Sequence, residues 1–302
     1  FIILVSVLAT FLANLTSNLI RHQNNFSDLT FLVQGLMIGL LIPSTYPMLI
    51  VFFSVYISML LSKYIFGQNG DSWVNPVVFS VIFLYILGFN FFPQNVLTRQ
   101  IMESGQPAIS LINNGSVQVL DFDSRFTFWL NSHIFPPLGI EIPTGYISLF
   151  WDSGSEIPAF RFNFLTLVSS IILISFDLIN WLIPAVFLSI YGLLVFLFSL
   201  TSFTGIIGQG DILLSFLTSG TLFVAFFLLD SYGTVPNTIV GKVVYALIAS
   251  VLAFLLCGAG FSSIGNLFVV LICNILSPII QFIEEQGYIL HINRLLRKNN
   301  YA

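Results

Sequence analysis

The sequence predicts an all-α polytopic membrane protein built as two inverted repeats of about five transmembrane helices each, and three observations carry that prediction. Of its 302 residues, 57% are hydrophobic and only 7% charged, with a mean hydropathy of +0.97, whereas water-soluble domains carry about a quarter charged residues. About nine apolar runs approach the length needed to cross a bilayer, which is roughly 20 residues. Finally, the stretch from Gly35 to Phe79 has an echo that begins at Ser219. In each copy a Gly opens an uncharged apolar run, a short polar break follows, and a second apolar helix runs into a Gly/Asn turn before a third. The first copy breaks at Pro43-Ser44-Thr45 and turns at 67–76; the second breaks at 230–236 and turns at 258–266. Duplicated halves of this kind suit transporters and membrane cofactor proteins, whose sites lie where repeats meet at discontinuous helices.

In chain order the runs are residues 1–20, 31–43, 46–66 and 75–92, then 162–177, 179–200, 212–229, 239–257 and 264–283. The run 31–43 is short and reads as a spanning helix whose end is set by Pro43. These runs divide the chain into a first membrane repeat (1–92), a polar loop region (93–161), a second membrane repeat (162–283) and a basic tail (284–302). The first half shows four spans, so a fifth, upstream of Phe1, is expected to complete it.

Charge orients these segments. Arg294, Arg297 and Lys298 cluster beyond the last run, which by the positive-inside rule places the C-terminus in the cytoplasm. Five spans separate that tail from the polar loop. The loop 93–161 therefore falls on the outer face, with Arg21, Lys63 and Lys242 on the inner one. The loop holds Trp129, Trp151 and the acids Glu103, Asp121, Asp123, Glu141, Asp152 and Glu156. Loops of this length are commonly functional.

Several classes of function are excluded. A net charge of -4 offers no basic face to neutralise phosphates, so no nucleic-acid partner is expected. Cys257 and Cys273 lie inside apolar runs and read as packing residues, and His22, His133 and His291 are scattered. Neither set has metal-ligand spacing. There is no P-loop, no nucleotide-binding glycine fingerprint and no Ser/His/Asp constellation. Asp177 and Asp230 sit at run boundaries, where an acid either caps or solvates a helix end or marks an ion path. Lys63, near the inner end of its run, reads as a snorkelling lysine.

From Asp28 to Phe92 the blocks DLTFLVQGLMIGLLIP, Pro47, SKYIFG and Asn75-Pro76 are in place. From Thr218 to Pro278 there follow Ser219-Gly220-Thr221, Ala225-Phe226-Phe227, Gly241-Lys242, Gly265, Phe268, Asn274 and Pro278, with Trp181 and Ile183-Pro184 between the two stretches. In these blocks the chain resembles the RnfD/NqrB family, whose members are membrane components of the Rnf electron-transport complex and of the sodium-pumping NADH:quinone reductase. The resemblance implies a flavoprotein component of a multi-subunit redox pump in the cell inner (cytoplasmic) membrane. Its partners would be the other Rnf subunits and membrane lipid, and its cofactor FMN or riboflavin.

The resemblance also implies FMN joined through its phosphate to a Thr hydroxyl within a motif Asp-x-x-Ser-x-Ala-Thr-Pro. The matching place here is WDSGSEIP, Trp151 to Pro158. Alignment on Pro158 puts Ile157 at the acceptor position, and alignment on Ser153-Gly154 puts Glu156 there. Neither has the hydroxyl that a phosphoester needs. Ser153 and Ser155 are the neighbouring hydroxyls able to substitute. Further departures are Asp230-Ser231-Tyr232 in place of Thr-Asp-Pro, and Ser263-Ile264-Gly265 in place of Pro-Asp-Gly. A flavin pocket between the repeats would be lined at helix breaks by Gly35, Asn75, Pro76, Gly220 and Thr221, with no catalytic residue or metal ligand expected. Two alternatives stand beside the redox role: an inverted-repeat channel or transporter for a small solute, and a non-catalytic scaffold component that has lost its flavin.

Overall fold

A computed structural model describes residues 1–22, 29–67, 72–93, 119–139, 141–201, 211–231, 233–258 and 262–299. Asp28, Arg99, Glu103 and Tyr232, and the side chains of Arg294, Arg297 and Lys298, lie outside the described residues. Among the described residues every regular element is a helix. The first repeat holds α1 (Ile2–Ile20), α2 (Thr30–Leu41), α3 (Met48–Ile65) and α4 (Pro76–Leu87). The loop region holds α5 (Asp123–His133), α6 (Tyr146–Trp151) and α7 (Pro158–Arg161). The second repeat holds α8 (Asn163–Ser175), α9 (Leu182–Ser199), α10 (Ile212–Leu217), α11 (Thr221–Phe223), α12 (Ile239–Cys257) and α13 (Gly265–Asn299). From α11 the chain passes directly into a π-helical turn, Val224–Leu228.

Five helices are long and apolar enough to cross a membrane: α1, α3, α9, α12 and the Gly265–Ile289 part of α13. Four of the expected spans are corrected, among them the runs 75–92 and 162–177, whose α-helices α4 and α8 have 12 and 13 residues. The run 31–43 forms α2, with 12 residues, or about 18 Å of helix against a hydrocarbon core of about 30 Å. It stops because the residue before a proline is pushed out of the helical region, and Ile42 is extended at φ -98°, ψ 132°. The run 212–229 is broken at 218–220.

Two helices, α1 and α8, bury their more polar side, the reverse of a helix in a soluble protein. On α1 the buried residues include Ser6, Ala9, Thr10, Ala13, Asn14 and Ser17, while Leu4, Leu8 and Phe11 face outward. On α8 the buried residues are Asn163, Thr166 and Ser170, with Leu165, Val168 and Ile171 outside. Lipid is as apolar as leucine, so helices associate through small residues that allow close approach and through hydrogen bonds. The α1–α2 contact shows this, because Gly35 and Gly39 form a G-x-x-x-G face. A Cβ on Gly35 would lie 2.4 Å from Thr10 Oγ1 and 2.7 Å from Val7 Cα, and one on Gly39 would lie 2.6 Å from Ile3 Cα. Val7 and Ile3 meet these positions with backbone, which cannot swing aside. Gly35→Val is expected to destabilise the pair by about 1–3 kcal/mol, the usual cost of overpacking. The thermal aggregation temperature of the detergent-solubilised protein measures this, and an unchanged temperature would contradict the packing role.

Contacts at the helix ends establish the two faces. Arg21, beyond α1, donates to Lys63 O at 3.0 Å and lies 4.8 Å above the Tyr64 ring, so α1 and α3 end together. Lys63 does not snorkel. It turns inward between the helices and donates to Asn14 Oδ1 at 2.5 Å. Trp73 folds back on the end of α3, with its ring 5.1 Å from that of Phe66, and lines one cleft with Lys242 of α12. Where α3 ends, its counterpart α12 begins, so the two repeats run in opposite directions. Their packing also corresponds: α1 lies on α3 and α3 on α4, as α9 lies on α12 and α12 on α13. The repeats meet where α4 packs on α13, with Tyr85 and Phe268 rings 5.8 Å apart, and α7 of the loop region packs on α2. Asp177 is exposed at the end of α8 in a left-handed conformation, φ +56°, which fits the helix-end reading.

Candidate functional site

The second repeat carries a helix cut in two. After α10 stops at Leu217, Ser219 and Gly220 follow with φ of +57° and +63°. Left-handed backbone costs a residue with a Cβ about 1–2 kcal/mol, so Ser219 is held there by its surroundings. Thr221 Oγ1 donates to Ser215 O at 2.8 Å. Asn266, near the start of α13, donates from Nδ2 to Ser219 O and to Thr221 Oγ1, both at 3.1 Å, while its Oδ1 accepts from Cys257 Sγ at 3.1 Å. One amide thus ties the break to α12 and α13. Phe160 of α7 covers the break from the loop side, with its ring carbons 2.2 Å from where a Cβ on Gly220 would stand.

The half-helix that begins at the break ends in the π turn, a geometry that shifts carbonyls out of α register and recurs at functional sites. Two carbonyls at its end are taken from a distance. Leu228 O accepts from Asn75 Nδ2 at 3.4 Å, and Leu229 O from Tyr245 Oη at 3.4 Å, a hydroxyl also 3.2 Å from Asn274 Oδ1. Asn75 at the same time caps α4, its Oδ1 accepting from Val77 N at 3.0 Å and Val78 N at 3.4 Å, with Pro76 as the first helical residue. A single side chain therefore belongs to both repeats. Next along the chain, Asp230 Oδ2 accepts from Asn180 N at 2.7 Å. Asp230 also borders an open cleft of about 900 Å³ shared with Trp73, Pro236, Lys242 and Gln281.

Residues 1–289 match the model of the NQR2, RnfD, RnfE family. The chain belongs to that family. It is 23% identical over 294 residues to the D subunit of the proton-translocating ferredoxin:NAD(+) oxidoreductase complex of Clostridium ljungdahlii, covering 92% of this chain and 80% of that protein. It is 25% identical over 289 residues to the D subunit of the ion-translocating oxidoreductase complex of Haemophilus influenzae, covering 86% of this chain and 77% of that protein.

For a member of the NQR2, RnfD, RnfE family, the placement of the expected site residues is uneven. Gly220 and Thr221 sit at one end of the half-helix; Asn75 and Pro76 sit at its other end. Gly35 is apart from both, packed on α1. Ser153 and Ser155 lie in a loop closed on itself. There Arg161 donates to both carboxylate oxygens of Asp152 at 2.8 and 2.7 Å, and Ser153 N donates to Arg161 O at 2.8 Å. The Arg161 guanidinium lowers the Asp152 pKa. Ser153 Oγ donates to Phe160 O at 2.8 Å, whereas Ser155 Oγ only accepts, from Ile157 N at 3.2 Å, leaving its proton uncommitted within the loop. Ile157 is fully buried in the apolar core and Glu156 is exposed. A phosphoester at the family's acceptor position therefore does not fit this chain: one alignment offers a core isoleucine and the other a surface carboxylate.

Asn266 and Tyr245 belong to the site, and sequence reasoning misses both. Asn266 has a readable signal, since it stands at the start of its repeat's third helix as Asn75 does in the first. Tyr245 has none, being one aromatic residue in an apolar run. Among the described residues, Ser80 Oγ, Ser219 Oγ and Asn274 Nδ2 are buried without a hydrogen-bond partner. Each such group costs about 1–3 kcal/mol; Ser80 and Asn274 lie in α4 and α13, where the repeats meet, and Ser219 lies in the break. No cluster of metal ligands occurs among the described residues.

Proposed function

We propose that this chain is the membrane component of an Rnf-type complex that couples electron transfer to ion movement across the cytoplasmic membrane. The match to the family along residues 1–289 carries this reading, and the naming of both relatives as D subunits of ion- or proton-translocating oxidoreductase complexes supports it. Its partners on this reading are the other subunits of such a complex. The C-terminus and the Asp230 cleft face the cytoplasm and the loop 93–161 faces outward, as the basic residues near helix ends indicate. A carboxylate at the mouth of a broken helix is the type of group that marks an ion path through a membrane protein. Flavin, FMN or riboflavin, would supply the electron chemistry and is held non-covalently on this reading. The buried Ile157 favours a second reading, a scaffold component without flavin.

Purification of the tagged chain in mild detergent, with absorbance and intact mass recorded before and after denaturation, tests both points. Partner subunits bearing flavin and iron–sulfur centres are expected to co-purify, and a preparation of this chain alone would sink the complex. Flavin released on denaturation supports non-covalent binding. Flavin that survives denaturation and disappears in Ser155→Ala would instead assign a covalent link to Ser155. An intact complex whose copy of this chain carries no flavin would leave the scaffold reading.

A further inference from the structure

Helix α5 lies in the polar loop region, has 11 residues and cannot span a bilayer, yet like α1 and α8 it buries its polar side. Its inward side is polar. Asp123 is fully buried and accepts from Gly145 N at 3.0 Å, Ser148 N at 2.7 Å and Ser148 Oγ at 2.6 Å. Thr127 donates to Asp123 at 2.9 Å, and Asn131 exchanges two bonds with the backbone of Ile142, at 2.8 and 3.0 Å. Residues 123, 127 and 131 recur every fourth position and form one face of the helix.

Beside that face runs an aromatic stripe at i, i+4, i+7 and i+11: Phe122, Phe126, Trp129 and His133. Phe126, Trp129 and His133 stack in sequence with centroids 5.8 and 5.7 Å apart. Phe122 and Trp129 are 43% and 46% exposed, and Phe126 is also exposed, so among the described residues a run of large apolar rings stands uncovered. On the other flank Ser124, Phe128 and Ser132 are exposed, and Arg125 borders the stripe, four residues before Trp129. In water this arrangement is the wrong way out. The stripe continues into the membrane-facing surface, since Phe122 packs edge-on against Trp151 at 6.0 Å and Trp151 stacks on Phe164 of α8 at 5.1 Å. The outer side of α8 is Leu165, Val168 and Ile171. A belt of Trp and Phe joining a membrane helix to a short amphipathic one is the arrangement found at the headgroup level of a bilayer.

We propose that α5 is an interfacial helix whose Phe122–Phe126–Trp129–His133 stripe is seated in phospholipid at the membrane–water boundary where α8 begins. Ser124 and Ser132 face water on the other flank. The test places a nitroxide at Phe126→Cys and, separately, at Ser132→Cys in the whole chain within its complex, reconstituted in phosphatidylethanolamine/phosphatidylglycerol vesicles. The buried native Cys257 and Cys273 are controlled by the chain without an added cysteine. At position 126, oxygen, which partitions into lipid, is expected to collide with the label several-fold more often than a water-soluble nickel chelate does, with the order reversed at 132. Equal access of the nickel chelate at both positions would overturn the proposal. So would exclusion of both reagents from 126 that is relieved when the partner proteins are stripped away, which would make the stripe a protein interface.

Discussion

Replacement of Gly220 by valine is expected to detach the 152–161 loop from the membrane core and to prevent accumulation of a folded chain. Two costs add at this position. Gly220 has φ +63°, a region that costs an L-residue about 1–2 kcal/mol and that β-branched residues essentially never occupy. The new side chain would also enter the space of Phe160, whose ring comes within 2.2 Å of the Cβ position, at an overpacking cost of about 1–3 kcal/mol. Together they come to about 2–5 kcal/mol, a large share of the total of about 5–15 kcal/mol that a domain possesses. Phe160 cannot simply move, because its carbonyl accepts from Ser153 and its neighbour Ile157 is fully buried. Trypsin cleavage after Arg161, which is paired with Asp152 in the closed loop, reports the detachment. Gly220→Ala combined with Phe160→Ala removes the steric cost and retains the backbone cost, so it should recover part of the protection. A Gly220→Val chain that accumulates normally with Arg161 still protected would show that the break does not depend on this contact.

The second large effect is expected at Asp123. Burial alone would raise its pKa, but the Ser148 hydroxyl, the backbone N–H groups of Gly145 and Ser148 and the Thr127 hydroxyl outweigh that and hold it below the ordinary carboxylate value of 3.8. A depressed folded pKa means that the carboxylate stabilises the α5–α6 unit above the unfolded pKa, and that this contribution is lost as pH falls through the folded value. The native chain should therefore hold α5 in place at neutral pH and release it below about pH 4. Asp123→Asn keeps one acceptor but turns an amide N–H₂ toward donors. The loss should be about 3 kcal/mol at pH 7, since each buried donor left unpaired costs about 1–3 kcal/mol. The acid-dependent step should disappear from its profile. The fluorescence of Trp129, followed from pH 7 to about pH 3, makes the comparison, and identical profiles for the two chains would remove Asp123 from the account.

Both positions show how far a sequence reading reaches. Its place in a repeat singles out Gly220, and the structure puts that residue at a real helix break, although the space beside it is filled by Phe160. Asn75 stands out on the same ground and does join the two repeats. Gly35 groups with them because it opens an apolar run, yet its lack of a Cβ serves the α1 contact. The serines of the Trp151–Pro158 segment are equivalent as letters. Only folding separates Ser153, whose proton is committed to Phe160 O, from Ser155, whose proton is not.

What the sequence by itself determined is whatever depends on the solvent. A chain with 7% charged residues must use lipid as its solvent, and the apolar runs and prolines then set where most of the helices lie and where α2 stops. The tertiary structure decided which polar groups find partners, because those partners are far apart along the chain. Asn75 meets Leu228 across 153 residues and Asn266 meets Ser219 across 47. It also decided that α5 turns its polar side inward. Local periodicity reveals that a helix has two unlike faces, but only the donors at Gly145 and Ser148 fix which of them is buried.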